Sequence, residues 1–352
     1  MTLLITSLLI YFSGAFVIPT SSRPRRSFRC IGTELHAKNT NKNKKRRGGP
    51  RGAGRRGKPQ KDGGAEIDAD ENVKPVVLKP SSIRKQIIEL DRGRPGQSPP
   101  LRVCTAEIDD VAWWENPDNE NPFGAKLWPS ALAISEFLVG LGNLEGYDIL
   151  ELGCGAGLVS IVAAESGARV VASDISPTVI KLCKIGWVET QKQREKQSQR
   201  KRQRQKKAED NDVDVDDKNE IKPGTLDTIK LDLFSESPLP MSNASSTNQK
   251  VVIATAMLYE SSVAGVLARR AIEACARGAW VMIGDDDTGE REGGRKYFVS
   301  ELDKLEKEKG FTFRRTWTSS VVKSKPLQWS EKQVKILHLN APEDPFLDAS
   351  TA

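Results

Sequence analysis

The sequence predicts an α/β protein: a doubly wound, mainly parallel sheet with an antiparallel hairpin at one edge. Three observations carry this. From about residue 100 onward, short apolar runs alternate with longer segments of helical spacing. The run "YDILELG" (147–153) reads as a fully buried strand, and "ARVVASDIS" (168–176) and "KVVIATAMLY" (250–259) as further strands of a sheet covered on both faces. The last two runs, "FTFRRTWTSSVV" (311–322) and "WSEKQVKILHLN" (329–340), are joined by a link too short for a crossover helix, so they pair antiparallel.

Each element follows from its own residues. "LRVCTAEI" (101–108) reads as a strand, and "PSALAISEFLVGL" (129–141) has the three- and four-residue spacing of a helix, with Ser130 as its cap. After the strand "YDILELG" comes the helix "GLVSIVAAESG" (157–167), then the strand "ARVVASDIS". Pro177 opens the helix "PTVIKLCKIGWVETQ" (177–191), where its fixed φ suits the first turn. "TIKLDLF" (228–234) and "KVVIATAMLY" are strands, "SSVAGVLARRAIEACARG" (261–278) a helix, "AWVMIGDDD" (279–287) a strand and "RKYFVSELDKLEKEKG" (295–310) a helix. Residues 191–223 interrupt this rhythm. Nine basic residues and one acid fill 192–207, and seven acids with one base fill 209–220. With almost no apolar residues this is a surface insertion, helical in its first half, and not a further domain.

Charge divides the chain of 352 residues. Its net charge is +7, but residues 23–61 alone hold fifteen Lys/Arg against one Glu. The basic balance therefore belongs to the N-terminal tail, and the remainder is net acidic, which disfavours a nucleic-acid groove in the folded part. The five cysteines are scattered without a C-x-x-C pair, so neither a disulfide framework nor a zinc site is indicated. The two histidines are His36, in the tail, and His338. That scarcity argues against a Ser-His-Asp triad and against a histidine-ligated metal.

Residues 1–36 read as an address. "MTLLITSLLIYFSGA" is uncharged, mostly apolar and too short to span a bilayer, and "FVIPTSSRPRRSFRC" is rich in Ser and Arg without acid. The junction "SGAFVIP" resembles the Ala-Phe junction of the bipartite leaders that carry proteins into secondary plastids, which implies a plastid destination; the alternative is the secretory pathway. Residues 37–99 read as a disordered basic linker. Its Gly-Arg-Pro-Lys run suits weak contact with RNA or an acidic partner, against a plain solvated linker. Residues 100–340 form the expected domain, followed by a tail at 341–352. No membrane contact is expected of the mature form.

The stretch "ELGCGAGL" (151–158) carries the chemistry. Its glycines, Gly153, Gly155 and Gly157, follow the strand in G-x-G-x-G spacing, whereas a dinucleotide loop needs G-x-G-x-x-G, and position 158 is Leu. Glycine permits a tight turn and close backbone approach, and the next helix presents free N–H groups. Glu151 precedes the loop, Asp174 ends the next strand, and Asp232 ends the one after. This is the pattern of S-adenosylmethionine loops in class I methyltransferases. Glu151 is expected to receive the cofactor's ammonium, Asp174 both ribose hydroxyls and Asp232 the adenine amino group.

Two further segments, "NPFGAKLWPSALAISEFL" (121–138) and "ATAMLYE" (254–260), together with "LELGCGAGLVS", resemble the family 16 methyltransferases. These are seven-stranded, Rossmann-like enzymes that mostly methylate lysine in non-histone proteins. The resemblance covers roughly residues 105–340 apart from the insertion. It implies a seven-stranded sheet, S-adenosylmethionine as cofactor, a protein substrate, and Leu127, Trp128 and Pro129 as a wall of the cofactor pocket. The expected cofactor set is Trp128, Glu151, Gly153, Gly155, Gly157, Asp174, Asp232 and Ala254.

The resemblance breaks at one position. The family's fourth strand ends in an acidic residue, two apolar residues and an aromatic; here the aromatic is Tyr259 but the acidic position is Ala256. Lysine, with a pKa of about 10.4, must lose its proton before it can accept a methyl group, and a carboxylate assists that. Glu260 or the run Asp285-Asp286-Asp287 must then supply the charge, with Asp285 preferred because strand ends on this edge face the ligand crevice. The expected catalytic set is Tyr259, Glu260 and Asp285. Trp113 and Trp114 read as core anchors or as part of the site's entry, and Arg295 as a substrate-loop residue or a solvated one. A small-molecule or RNA methyltransferase of the same fold, and a non-catalytic scaffold that binds the cofactor, stay open as alternatives.

Overall fold

The computed structural model describes residues 83–91, 100–108, 122–209, 221–241, 247–286, 294–310, 312–324 and 329–342. Seven strands form the main sheet: β3 (Tyr147–Leu152), β4 (Arg169–Asp174), β5 (Thr225–Lys230), β6 (Gln249–Thr255), β7 (Trp280–Asp286), β8 (Arg315–Ser324) and β9 (Trp329–Leu339). Their order is β5-β4-β3-β6-β7-β9-β8. The β5-β4, β4-β3, β3-β6 and β6-β7 pairs are parallel, and β9 runs antiparallel to both β7 and β8. The terminal hairpin is thus present, with one refinement. The last strand inserts beside β7, and β8 becomes the edge.

Strand succession runs outward from β3 in one direction to β4 and β5, and in the other to β6 and β7. The order reverses between β3 and β6, and in open α/β sheets that reversal opens a crevice beyond the carboxyl ends of the strands. Helices cover both faces. α1 (Pro129–Leu141) and α2 (Leu158–Glu165) bury Leu132, Ile134, Leu138, Val159 and Val162 against one face. α4 (Ser261–Ala276) and α5 (Gly294–Lys309) bury Leu267, Ile272, Phe298 and Leu302 against the other. This explains why β7 is buried along its whole length.

Three expectations need correction. Ile83–Leu90, inside the stretch expected to be a disordered linker, form strand β1, paired residue for residue with β2 (Leu101–Ile108). Ile88 and Leu90 are buried there while Ile87 and Glu89 face out, a short alternation set among basic and polar neighbours. Ser130 is not the cap of α1. Trp128 occupies that position with extended backbone and Pro129 fills the first turn, while the Ser130 N–H donates to Asp286 Oδ1 at 2.7 Å. Finally, β5 stops at Lys230, so Asp232 lies just past the strand end.

The charged insertion behaves as its composition implies in its described half. α3 (Pro177–Glu209) runs on as one helix through the basic stretch. The β1–β2 ribbon rests on α3, where the Cys104 N–H donates to Thr190 Oγ1 at 2.8 Å. The acidic half, 210–220, lies outside the described residues, as do the targeting segment, Trp113, Trp114 and Asp287.

Candidate cofactor and active site

A cleft of about 510 Å³ opens beyond the carboxyl ends of β3, β4, β5 and β6, at the reversal of strand order. The glycine loop forms its floor. Gly153, Gly155 and Gly157 have φ of 67°, 54° and 83°, so every second residue takes the left-handed conformation that side chains resist. The requirement is also steric. A Cβ on Gly157 would sit 2.4 Å from Cys183 Sγ, and one on Gly155 would sit 3.1 Å from the Gly124 carbonyl oxygen. Gly157 therefore allows α2 to start against α3, and Gly155 allows the loop before α1 to close over the cleft.

Asp174 stands at the end of β4 and lines the cleft. Its Oδ2 accepts the Gly155 N–H at 3.2 Å and its Oδ1 the Ser176 N–H at 3.0 Å, so one carboxylate ties the glycine loop to the neighbouring strand end. Asp232 lines the cleft from beyond β5, and its Oδ1 accepts the Phe234 N–H at 2.9 Å. Trp128, Gly153, Gly155 and Tyr259 line the same cleft. Six of the eleven expected site residues thus come together.

The loop that carries Asp232 is held by groups that sequence reasoning missed. Arg270, on α4 and only 7% exposed, donates to the carbonyls of Leu233 (3.1 Å), Ser237 (3.0 Å) and Ser235, and to Glu273 Oε2 (2.7 Å). Glu273 Oε1 accepts the Leu239 N–H at 2.6 Å. The one signal was an arginine in the apolar-rich run "AGVLARRAIEACA". Ile175 and Phe234, both more than half exposed, add apolar walls beside the two carboxylates. No spacing rule flags them.

Five expected residues lie elsewhere. Glu151 is 1% exposed and turned toward α2, where its Oε2 accepts the Ser160 N–H at 3.0 Å and the Ser160 hydroxyl. Burial pushes its carboxyl up to about 8, against the two Ser160 bonds that favour the ion. It anchors the loop rather than facing the cleft. Gly157 shapes the turn, as above. Ala254 is fully buried inside β6, paired with Leu152, and the cleft is reached only from Thr255 onward. Glu260 sits at the start of α4 and accepts the Ser262 hydroxyl at 2.7 Å. Asp285 is 5% exposed within β7 and is engaged by Arg295, Nε at 2.7 Å and an Nη at 2.5 Å. Strand pleat explains Ala254 and Asp285: adjacent positions face opposite ways, so nearness to a strand end does not aim a side chain at the crevice. Arg295 lies in α5, engaged with Asp285.

The β6 end has a further feature. Ala256 takes φ of 55° and its N–H donates to the Gly284 carbonyl at 3.0 Å, so the chain turns sharply there and carries Tyr259 back over the cleft. Asp and Asn tolerate this conformation better than Ala. His338 is buried in β9, its ring stacked on Trp280 at 5.7 Å, and burial lowers its pKa to about 4. It is a neutral core residue far down the sheet from the cleft side of β9.

Residues 108–204 match the sequence model of the lysine methyltransferase family. The matched segment holds the loop before α1, the glycine loop, Asp174 and most of α3. Among individual proteins, the chain is 43% identical over 61 residues to protein-lysine methyltransferase METTL21E of Mus musculus, covering 16% of this chain and 25% of that protein. It is 40% identical over 79 residues to the electron transfer flavoprotein beta subunit lysine methyltransferase of Danio rerio, covering 21% and 29%. It is 30% identical over 99 residues to a ubiquinone biosynthesis O-methyltransferase of Xanthomonas campestris, covering 27% and 40%. The matches therefore span from a quarter to two fifths of these relatives. Among solved structures, magnesium protoporphyrin IX methyltransferase from Synechocystis with bound S-adenosylmethionine aligns at 17% identity, with a TM-score of 0.32, over 59% of this chain and 77% of that one.

Proposed function

We propose that this protein transfers a methyl group from S-adenosylmethionine to a protein side chain, lysine being the acceptor. The observation that carries the reading is the convergence of the glycine loop, Asp174 and Asp232 in one cleft at the reversal of strand order. Two carboxylates, one at the end of β4 and one just past the end of β5, match the hydrogen-bond donors of an adenosine, ribose hydroxyls at Asp174 and the adenine amino group at Asp232. The cleft volume lies within the range of small-ligand sites, about 300–1,000 Å³. When bound, the cofactor supplies an electrophilic methyl group. The chain's own part is to hold the adenosine, exclude water with Ile175 and Phe234, and present Tyr259 beside the acceptor. Protein-lysine methylation is favoured by the family match and by the two lysine methyltransferase relatives. The leader sequence supports action in a plastid.

One observation favours a second acceptor class. Both carboxylates expected to replace the missing acid at Ala256 have other partners, Glu260 with Ser262 and Asp285 with Arg295. An acceptor that arrives already deprotonated, such as a small-molecule hydroxyl of low pKa, would not need them, and one relative is an O-methyltransferase.

Titration calorimetry with S-adenosylmethionine, with Asp174→Ala as control, tests the cofactor. Transfer of tritiated methyl into extract fractions tests the acceptor. Micromolar binding lost in the control, with label in protein, is expected. Label in the metabolite fraction alone would select the second acceptor class, and absence of binding by the folded protein would overturn the whole reading.

A further inference from the structure

We infer that Lys126 seats the α-carboxylate of the cofactor's methionine moiety, a role that rests on the cofactor reading above. Among the described residues that line the cleft, Lys126 is the one cation, and Asp174 and Asp232 are the acids. S-adenosylmethionine carries one anionic group, its carboxylate, and with both acids matched to the adenosine that group needs a separate donor.

The usual donor for an anion in such folds is the N-terminus of the helix after the glycine loop. Here part of that turn is already engaged. The Ser160 N–H and hydroxyl in the first turn of α2 both go to Glu151, from inside the protein. The Ser160 donors are therefore not open to a ligand carboxylate, and the charged donor among the lining residues is Lys126.

The path of the covering loop fixes which end of the ligand Lys126 meets. At one end, the Gly124 carbonyl lies over Gly155, and Gly124 packs on Val179 at the start of α3. At the other, the Ser130 N–H reaches Asp286 on β7. Residues 124–130 thus cross the cleft from the glycine loop toward β7, past the end of β6. Lys126 lies along that crossing, which runs away from β5, while Asp232 lines the cleft from beyond β5. Adenine toward Asp232 and ribose at Asp174 put the amino-acid end of the ligand under Lys126. A lysine suits this place, being a compact charge on a flexible stem that follows a carboxylate free to rotate.

The test compares two ligands on the full chain. S-adenosylmethionine and 5′-methylthioadenosine share the adenosine and the sulfur, but only the first has the aminocarboxypropyl arm. Lys126→Ala is expected to weaken S-adenosylmethionine about tenfold, a charge-assisted contact at a partly open site. The same variant should leave methylthioadenosine within about twofold, on the same reasoning. Lys126→Arg should restore most of the loss. Unchanged S-adenosylmethionine affinity in Lys126→Ala would overturn the assignment. Equal weakening of both ligands would also overturn it, because Lys126 would then act through the loop. Binding of neither ligand to the unaltered protein would overturn the cofactor reading itself, and the assignment with it.

Discussion

Substituting Glu151 by glutamine should remove a loss of stability that the native protein suffers above neutral pH. Glu151 is fully buried, and burial raises its pKa from 4.5 to about 8. In the unfolded chain the group ionises near its ordinary value. Between about pH 4.5 and 8 the folded protein therefore keeps a proton that the unfolded chain has released. This group's contribution is full below pH 4.5 and is lost as pH rises to about 8, a total of about 5 kcal/mol. His338 acts in the opposite sense. Burial lowers its pKa from 6.5 to about 4, so its contribution is full above pH 6.5 and is lost as pH falls through 4. The two offset each other between pH 4.5 and 6.5, and above that Glu151 alone of the two still titrates. From pH 6.5 to 8.5 it should cost the native protein about 2 kcal/mol. The Glu151→Gln amide oxygen can accept both Ser160 donors and carries no charge at any pH, so the variant should stay flat across that window. Urea denaturation of both proteins at pH 6.5, 7.5 and 8.5 decides the matter. Parallel pH profiles would refute the reasoning, since they would mean that Glu151 is no more desolvated in the folded state than in the unfolded one.

Two other predictions concern how the cleft is built. Ala256→Gly should raise stability by about 0.5 kcal/mol, because relief of the left-handed strain at φ of 55° exceeds the entropy that glycine loses on folding, whereas Ala256→Val should cost about 2 kcal/mol; thermal melts check both, and equal melting points would refute the strain. Arg270→Met keeps the apolar stem but leaves the carbonyls of Leu233, Ser235 and Ser237 without their donor. It should lower stability by about 3 kcal/mol and weaken S-adenosylmethionine about tenfold under conditions where the protein is still folded. Unchanged affinity would show that the loop bearing Asp232 keeps its place without the clamp.

What was legible in the sequence was what depends on neighbours along the chain. The alternation of strands and helices, the G-x-G-x-G turn and the placing of Asp174 are local, and each stands as expected. Asp232 reached the cleft although the strand before it is shorter than its apolar run implied. What failed depends on side-chain direction. Glu151 and Asp285 stand at strand ends, as expected of site residues, yet each turns inward to a partner on a helix, Ser160 on α2 and Arg295 on α5. The β1 strand was hidden for a different reason, because its stability comes from pairing with β2 and not from its own composition.

Ala256 shows how the two levels combine. The family resemblance implies an acid at this position, where the structure has a left-handed turn held by a bond to Gly284. That conformation favours Asp over Ala, so the backbone here has the shape an acid would prefer. The turn is fixed by main-chain bonding, and Tyr259 stays over the cleft without any contribution from the side chain at 256. The aromatic wall and the charge at this strand end are therefore separable. On the proposed function, the lack of an acid at 256 bears on how the acceptor sheds its proton and not on the placing of Tyr259.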